Sequence, residues 1–455
     1  MYDRWELPGA GRSAARGERV PAEDRFFLYV ESPAAPQHVG GVALVDVRGL
    51  PAGRPSRLDM LALAEEMVRD LPPLRRRLSP GSRWRRPRWL EQAPDLDWHV
   101  VELSLPAPGG LAALWRLVGD IASAALPRDR PLWRVWLAHV EPGLDAALIV
   151  LHHSTADGIG GIATAARLFR PDPRLGTYRP AARPTRLRRA AGTALGLAQL
   201  ATDGRAKGRL LNGPATAGRR YTGTALPLAE VRAAADRHAV RVSDMVLCGV
   251  AGGLSRVRAA NGDRWPATIR VAVTQTVRDP GEVGAGANVT AATMLDLPIA
   301  AMPEPDRLRL VAARSAALRS GSRALASRFV MHTVAGLMPP PMHRWFARAV
   351  YGGRFFQAIV SNLPGPRAAL TMAGGPSRQA YPILPLAPDA PLAIGALGWH
   401  EQLCVGIAAA ASLVDDLDDL AGAIRVAFGE LCRAGPAADG RPALTRGAPR
   451  PRLIP

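Results

Sequence analysis

The sequence predicts an α/β protein with two lobes. Two stretches of the chain alternate between strand-like and helix-like segments, and an arginine-rich segment of different composition separates them. Hydrophobic residues make up 48% of the 455 residues and charged residues 21%, which is the composition of a globular chain. A chain of this length can form two or three domains, or one large domain with two lobes.

The first lobe is predicted over residues 21–180, after a polar start, residues 1–20, that we expect to be flexible. Apolar residues that alternate with polar ones predict strands, and apolar residues at helical spacing predict helices. Prolines follow both predicted helices and end them. The predicted order is strand 38–47, helix 57–71, strand 98–105, helix 111–126, strand 131–140 and strand 146–153.

Residues 181–222 are predicted to be a basic linker between the lobes. From Arg167 to Arg220 the chain has twelve arginines and Lys207, with several prolines and glycines. The stretch AAGTALGLAQLATDG within it has the spacing of a short helix. Two interpretations of this segment stay open: a solvated connection, or a basic, partly amphipathic segment that rests on anionic lipid.

The second lobe is predicted over residues 223–435, where the alternation of helices and strands resumes. Residues 436–455 are basic and rich in proline and glycine, and we expect a disordered tail there. The predicted elements are helices 227–239 and 242–262, strands 267–278, 354–366 and 403–414, and a closing helix 415–435.

The formal net charge of +19 comes almost entirely from arginine, since the chain has only one lysine. Such a charge attracts anionic partners such as phosphates and acidic lipid head groups. Nucleic acid is not expected as the ligand, because aromatic residues are only 5% of the chain and no recognition-helix, zinc-finger or RNA-binding pattern occurs.

The three cysteines, Cys248, Cys404 and Cys432, are far apart and form no Cys-x-x-Cys pair. This pattern argues against a disulfide framework and a structural zinc site, and it fits a reducing compartment. The N-terminus has no signal-peptide core, and no apolar run reaches the ~18 residues of a membrane-spanning helix. We therefore expect a cytoplasmic protein that can contact a membrane surface.

The stretch LIVLHHSTADGIGG, residues 148–161, places two adjacent histidines at the end of an apolar strand. Successive side chains of a strand face opposite ways, so one of His152 and His153 packs inward and the other faces the cleft at the strand end. Asp157 and Gly158 predict a turn, in which the aspartate can bind local backbone amides.

Three interpretations compete for this histidine pair. A metal site is disfavoured because the two side chains diverge and no third ligand has suitable spacing nearby. A packed core pair would explain two histidines alone. The longer string HHSTADG is more specific than two histidines and favours a catalytic interpretation.

This string resembles the HHxxxDG motif of the coenzyme A-dependent acyltransferase superfamily. Further blocks resemble the bacterial wax ester synthase/diacylglycerol acyltransferase family, and they follow one another in that family's order over residues 21–430. They are EDRFFLYVESPAAPQHVGG with Asp24 and His38-Val39-Gly40, RDRPLWRVWL, Asn288 followed by Leu297-Pro298, and SNLPGP.

The resemblance implies a two-lobed, chloramphenicol acetyltransferase-like fold, each lobe a mixed sheet with flanking helices, and an active-site tunnel between the lobes. It implies transfer of a long-chain acyl group from acyl-CoA to a hydroxyl group. His153, by its place in the motif, would be the general base, because an imidazole with a pKa near ~6.5 can accept the alcohol's proton at neutral pH. No cofactor is implied, since acyl-CoA is a co-substrate.

Supporting roles follow from the same resemblance. His152 would pack and hydrogen-bond, and Asp157 beside Gly158 would be structural, paired with an arginine of the second lobe. The candidate arginine is Arg278, at the place of the family's Pro-Val-Ser-x-Arg block. Oxyanion donors or site-lining residues would be Ser361, Asn362 and Asn288, and scaffold or tunnel residues would be Pro131, Leu132 and Trp133.

The chain departs from the family pattern at three places: Ser243 stands where asparagine is usual, Thr274–Arg278 replaces the Pro-Val-Ser-x-Arg block, and SLVDD lacks the late tyrosine. The leading hypothesis is an O-acyltransferase that acts on diacylglycerol or a fatty alcohol. Two alternatives are transfer to another hydroxyl or amine, and a weakly active lipid-binding protein of the same fold. Each of these three functions would suit a protein that contacts a lipid surface peripherally. That surface would be an anionic membrane, at the inner face of the plasma membrane, or a lipid droplet.

Overall fold

The computed structural model describes residues 17–50, 53–80, 82–170, 186–202, 204–208, 210, 218–262, 264–276, 290–318, 322–413 and 417–435. Residues 1–16 and the expected tail, residues 436–455, lie outside these ranges.

The strands of the described chain are β1 (Glu18–Arg19), β2 (His38–Asp46), β3 (Arg76–Leu78), β4 (Arg88–Glu91), β5 (Val100–Ser104), β6 (Trp133–Glu141), β7 (Leu144–His152), β8 (Arg219–Pro227), β9 (Thr268–Thr276), β10 (Thr290–Pro298), β11 (Ala358–Leu363), β12 (Leu370–Met372), β13 (Gly375–Ile383), β14 (Leu392–Trp399) and β15 (Gln402–Ala410).

The helices are α1 (Ala22–Val30), α2 (Arg57–Asp70), α3 (Leu96–His99), α4 (Gly110–Ser123), α5 (Gly158–Ala166), α6 (Arg186–Thr202), α7 (Leu228–Arg237), α8 (Val242–Ala260), α9 (Glu304–Leu318), α10 (Ser322–Phe329), α11 (Ala335–Leu337), α12 (Pro340–Val350) and α13 (Leu417–Arg433). A 3-10 turn covers Pro72–Arg75, and a π-helical turn covers Val330–Val334. No helix of the described residues has the length and apolar character needed to cross a membrane.

Two mixed sheets of six strands form the two lobes. The first has the order β5-β6-β7-β2-β13-β12 and the second the order β10-β9-β11-β14-β15-β8. In the first sheet β5 and β6 are parallel, and in the second sheet β11 is parallel to both of its neighbours, β9 and β14. A small sheet of order β1-β4-β3 lies beside the first. Two α/β lobes were expected from the sequence, and the structure has two.

The structure divides the chain differently from the contiguous lobes expected from the sequence. Strands β12 and β13 come from the second half of the chain but join the first sheet, where β13 pairs with β2. The expected linker, residues 181–222, contains α6 and the first residues of β8, which pairs with β15. Residues 17–20 of the expected flexible start are ordered, since β1 pairs with β4 and Val20 is buried.

Three predicted strands are several residues shorter in the structure, and one of them, expected at 403–414, ends at Ala410. The strand expected at 98–105 begins only at Val100, because Asp95 accepts a hydrogen bond from the Asp97 backbone N–H and starts α3. The strand expected at 354–366 is limited to β11. Before it, the backbone N–H groups of Phe355 and Phe356 donate to the Gly352 carbonyl and form a turn.

Several elements were not predicted at all. They are α1, α3, the helices α9 to α12, and strands β1, β3, β4, β8, β10, β12, β13 and β14. Strand β14 reads LAIGALGW and is buried nearly throughout, so a period of two is absent from its sequence. A buried central strand of this kind resembles any short apolar run, which is why the sequence alone missed it.

Strand β11 separates two hydrophobic cores. Ile359 and Leu363 pack into the core that includes the first sheet, whereas Ala358 and Val360 pack into the core beneath α8 and α13. Alternate side chains of one strand therefore face the two lobes in turn. Any side chain on the odd-numbered face of β11 points towards the first lobe.

The second core depends on close packing between α8 and α13. A methyl group on Gly253 of α8 would lie 2.4 Å from Ile424 Cγ1 and 2.9 Å from the Ile424 Cα and backbone nitrogen. Because two of these atoms are backbone, the helices would have to separate. A methyl group on Gly422 of α13 would have no atom within 4 Å outside its own helix backbone and its chain neighbours.

We expect Gly253→Ala to lower the free energy of unfolding by about 1–3 kcal/mol, because the added methyl group overpacks the helix contact. Gly422→Ala is the matched control. It should raise the free energy of unfolding by about 0.5–1 kcal/mol, because alanine favours the helix more than glycine does and its methyl group meets no neighbouring side chain there. Urea unfolding followed by circular dichroism measures both, and equal effects of the two changes would contradict this account of the packing.

Candidate active site

The HHSTADG loop connects β7 to α5. His152 is the last residue of β7, and Asp157 is the N-cap of α5, with its Oδ1 accepting a hydrogen bond from the Gly160 backbone N–H at 2.8 Å. Thr155 closes the turn, since its backbone N–H and its hydroxyl both donate to the His152 carbonyl, at 2.9 and 2.7 Å. Asp157 is fully buried. The aspartate thus holds the start of a helix, as N-cap aspartates do.

His152 is buried among polar groups that determine its tautomer. Its Nδ1 accepts the Ser154 backbone N–H at 3.0 Å and lies 2.7 Å from Ser154 Oγ. Its Nε2 lies 3.2 Å from Glu31 Oε1. Since Nδ1 is an acceptor, a ring proton is assigned to Nε2, where it faces the carboxylate.

Glu31 is the carboxylate at the centre of this network. Arg128 lies 2.6 Å from its Oε2, and the Gln37 backbone N–H donates to its Oε1 at 3.3 Å. Burial alone would raise the pKa of Glu31, but the nearby His152 and Arg128 side chains outweigh burial and hold the pKa well below its usual range. Glu31 is therefore ionised in the folded protein at neutral pH.

His153 has different surroundings from His152. Its ring stacks on Phe27 of α1, with 3.7 Å between ring centroids and 10° between ring planes, and it is half-buried. Its backbone N–H donates to the Gln37 carbonyl at 2.8 Å. Gln37 is itself buried, and its amide donates to the carbonyls of Ala35 and Leu386. Both the ring and the main chain of His153 are thus held by neighbouring segments.

His38 lies beside this pair on the next strand. It is the cross-strand partner of His152 in the β2–β7 ladder. Burial first, and then the neighbouring His152, lower the pKa of His38 to about 4. His38 is therefore neutral at physiological pH and acts there as a buried neighbour of the network.

The Pro131-Leu132-Trp133 block supports the backbone of the histidine pair. The Leu132 carbonyl accepts the His152 backbone N–H at 2.9 Å. Trp133 is buried, stacks on His99 with 4.2 Å between centroids, and donates its indole N–H to the Leu74 carbonyl at 2.9 Å. These are the contacts of scaffold residues.

The second lobe meets the loop through β11. A methyl group on Gly158 would lie 3.2 Å from Leu363 Cδ2, so the start of α5 packs against the end of β11. Ser361 lies on the same face as Leu363, is buried, and its Oγ is 2.7 Å from Thr274 Oγ1. Asn362 points to the opposite face and is exposed. The structure therefore separates two residues for which the sequence predicted a shared role.

A narrow apolar cavity lies between α5 and the first sheet. Its volume is about 40 Å³, far below the ~300–1,000 Å³ of ordinary ligand pockets. It extends from the first sheet to the second lobe, and its walls include Gly40, Gly161, Ile162, Ala165, Leu397 and Trp399. A long acyl chain could enter only if these side chains moved apart.

Two predicted residues, Arg278 and Asn288, lie outside the described residues. Four residues of the site were not predicted from the sequence, namely Phe27, Glu31, Gln37 and Arg128. Glu31 and Gln37 are far from His152 in sequence, and only the pairing of β2 with β7 brings them together. Among the described residues, no group of three or more His, Cys, Asp or Glu side chains could hold a metal ion.

Comparison with known families gives two matches along this chain. Residues 21–202 match the wax ester synthase/diacylglycerol acyltransferase catalytic domain, and residues 287–432 match the C-terminal domain of the same family. A Mycobacterium tuberculosis relative, provisionally named a diacylglycerol O-acyltransferase, is 26% identical over 466 residues, which cover 91% of this chain and 90% of the relative.

Solved structures share the fold. The wax ester synthase/diacylglycerol acyltransferase from Marinobacter aquaeolei VT8 superposes with a TM-score of 0.65 at 22% identity, over 91% of this chain and 98% of that one. The first condensation domain of the CDA synthetase superposes with a TM-score of 0.61 at 17% identity, over 94% of this chain and 99% of that one. The fold expected from HHSTADG is therefore confirmed, and the chain belongs to the wax ester synthase/diacylglycerol acyltransferase family.

Proposed function

We propose that His153 is the general base in the transfer of a long-chain acyl group from acyl-CoA to the hydroxyl of diacylglycerol or of a long-chain alcohol. The observation that carries the proposal is the position of its imidazole. The ring is half-buried directly after β7, in the loop that leads to α5, and it stacks on Phe27, while the His153 backbone N–H donates to the Gln37 carbonyl. A positioned imidazole is suited to take a proton from an alcohol, because the reference pKa of a histidine side chain in water is ~6.5.

The reaction moves one proton and transfers the acyl group from the thioester sulfur to the alcohol oxygen. His153 accepts the alcohol's proton while the alcohol oxygen attacks the thioester carbonyl. The tetrahedral intermediate then collapses, the carbon–sulfur bond breaks, and the proton passes from His153 to the departing thiolate of coenzyme A. The products are an ester and free coenzyme A, so atoms and charges balance.

The surrounding residues have supporting roles in this proposal. Glu31 fixes the orientation of the His152 ring. Through this ring it also fixes the loop that presents His153. Asp157 holds the start of α5, and Arg278 is its proposed partner from the second lobe. The hydroxyl pair of Ser361 and Thr274 faces the first lobe and is the proposed source of a hydrogen bond to the oxyanion.

Direct transfer without an acyl-enzyme is favoured by the state of the cysteines. Burial raises the pKa of Cys248 well above its usual range and raises the pKa of Cys404 to about 12. Burial also raises the pKa of Cys432, which is only partly buried. A thiol with a raised pKa is a poor nucleophile at neutral pH, because the thiolate is the reactive form.

The acceptor and the location belong to the same proposal. Diacylglycerol and long-chain alcohols are both poorly soluble, so the acceptor would be taken from an anionic membrane surface or a lipid droplet. Radiolabelled palmitoyl-CoA supplied with diacylglycerol or with hexadecanol distinguishes the products. Label in triacylglycerol or in wax ester identifies the acceptor. Label in neither product would overturn both proposed acceptors, diacylglycerol and the long-chain alcohol.

The variant His153→Ala tests the general base. We expect its rate of acyl transfer to fall by about 10²–10⁴, the usual contribution of a positioned acid–base group. The thermal unfolding midpoint should stay near that of the wild type, because the ring is only half-buried. A rate within a factor of about three of the wild type would remove His153 from the mechanism.

The variants Ser361→Ala and Asn362→Ala form a matched pair on opposite faces of β11. We expect kcat to fall by about 10² in Ser361→Ala, if its hydroxyl donates to the oxyanion. Asn362→Ala should leave kcat unchanged, because its side chain is exposed on the other face. Steady-state kinetics with palmitoyl-CoA measure both, and a larger loss in Asn362→Ala would reverse the assignment.

The variant Glu31→Gln tests the buried network through pH. The folded pKa of Glu31 is depressed, so its stabilisation is complete above the unfolded pKa of ~4.3 and is lost as pH falls towards the folded pKa. Glu31→Gln should therefore be less stable than the wild type by about 2 kcal/mol at neutral pH. The difference should shrink below about pH 4. The exposed residue Glu65 supplies the control, Glu65→Gln, which should show no such pH-dependent difference.

A further inference from the structure

Large apolar side chains are exposed together on one side of the first lobe. Trp84 is 67% exposed, Trp345 70% and Leu337 79%. Soluble proteins expose single apolar side chains routinely, but a contiguous group marks an interaction site. Together with the arginines beside them, these side chains form a surface that we name the basic aromatic face: Arg83, Trp84, Leu337, Met342, Trp345 and Arg348.

These residues belong to two neighbouring segments. Arg83 lines a common surface depression with Arg344, Trp345 and Arg348 of α12. The guanidinium of Arg83 lies over the Trp84 ring, 4.8 Å from its centroid. Arg86 of the same loop donates to the Met338 carbonyl, just before α12, at 3.4 Å. The loop and the helix therefore form one surface.

Helix α12 has two distinct faces. His343 and Ala347, four residues apart, are fully buried against the protein. Met342 and Trp345, three residues apart, are 48% and 70% exposed on the outer side. A helix with its apolar side chains turned outward and arginines along its flank has the pattern of a helix that lies in a lipid interface.

The charge of the two segments has one sign. Between Asp306 and Asp389 the sequence has eleven arginines and no acidic residue. Between Asp70 and Glu91 it has seven arginines and no acidic residue. Part of this charge is used inside the protein, as with Arg307, which is buried beside Glu304. Arg83, Arg85 and Arg348 are exposed. Their field attracts an anionic surface.

The charge also argues against a second copy of the chain as the partner. A two-fold interface would place the same patch on both sides, so that each arginine faced arginines of the other copy. Such juxtaposition of like charges is unfavourable. An anionic lipid surface instead supplies apolar depth for the tryptophans and negative head groups for the arginines.

The basic aromatic face lies one helix away from His153. Arg348 donates to the Tyr29 carbonyl of α1 at 2.9 Å, and His343 packs edge-on against the Tyr29 ring. Phe27, on the same helix α1, stacks on His153. Contact with lipid at this face would bring the membrane near the segment that holds the proposed base.

We propose that the basic aromatic face docks the protein on anionic phospholipid, with Trp84, Met342 and Trp345 inserted among the head groups and Arg83 and Arg348 bound to their phosphates. The inference refines the membrane contact included in the proposed function and assigns it to residues outside the basic linker. It requires no acyl transfer, so a failure of one proposal does not decide the other.

Vesicle flotation without acyl-CoA tests this docking surface. The probes are vesicles of phosphatidylcholine and phosphatidylglycerol in equal parts, and vesicles of phosphatidylcholine alone. We expect the wild type to float with the anionic vesicles. Trp84→Ser with Trp345→Ser, and separately Arg83→Ser with Arg348→Ser, should each lower the bound fraction at least about tenfold.

Adjacent exposed residues of α13 provide the matched control. Arg425 is exposed and Val426 is 50% exposed, and α13 packs against α7, α8 and α9. Arg425→Ser with Val426→Ser removes one charge and one apolar side chain elsewhere on the surface, and should float as the wild type does. Thermal unfolding of each variant verifies that it is folded.

Three outcomes would overturn the proposal. The first is that the wild type does not float, or floats equally with both kinds of vesicle. The second is that the tryptophan and arginine variants bind as well as the α13 control. The third is that the wild type elutes as a dimer in size-exclusion chromatography and the tryptophan variant as a monomer, since the face would then bind a second copy.

Discussion

The antiparallel pairing of β2 with β7 is the constraint on which the site depends. Its register places His38 opposite His152 at the end of the ladder. The segment before β2 is thereby carried to the HHSTADG loop, where Gln37 binds the His153 backbone and Glu31 reaches the His152 ring. A shift of one residue would turn every side chain of β2 to the other face and separate these groups.

The polar network that results is stable because its charges are matched. A lone buried carboxylate would be protonated or would destabilise the fold. Glu31 avoids both because Arg128 reaches it from the loop before β6 and His152 presents a ring N–H. The network holds one histidine in place, so the neighbouring histidine can remain half-buried without losing its orientation. His152 thus contributes to the stability of the site, while the adjacent His153 stays partly exposed.

The two lobes are joined by strands as well as by side chains. The chain leaves the second sheet after β11, adds β12 and β13 to the first sheet, and returns to the second sheet with β14. Alternate side chains of β11 pack into each of the two cores. Because of this crossing, the Ser361 hydroxyl on β11 is held at a fixed position relative to α5 and the loop before it.

The sequence by itself determined the α/β class, most helices and strands with clear periodicity, and the string HHSTADG with the family to which it points. Those features are local, since they depend on residue spacing along a single segment. Tertiary structure alone decided the rest. It brought Phe27, Glu31 and Gln37 to the histidines, separated Ser361 from Asn362 across β11, and placed β13 in the first sheet. Such contacts join residues distant in the chain, so they follow from strand pairing and from the burial of whole faces, which no short pattern encodes.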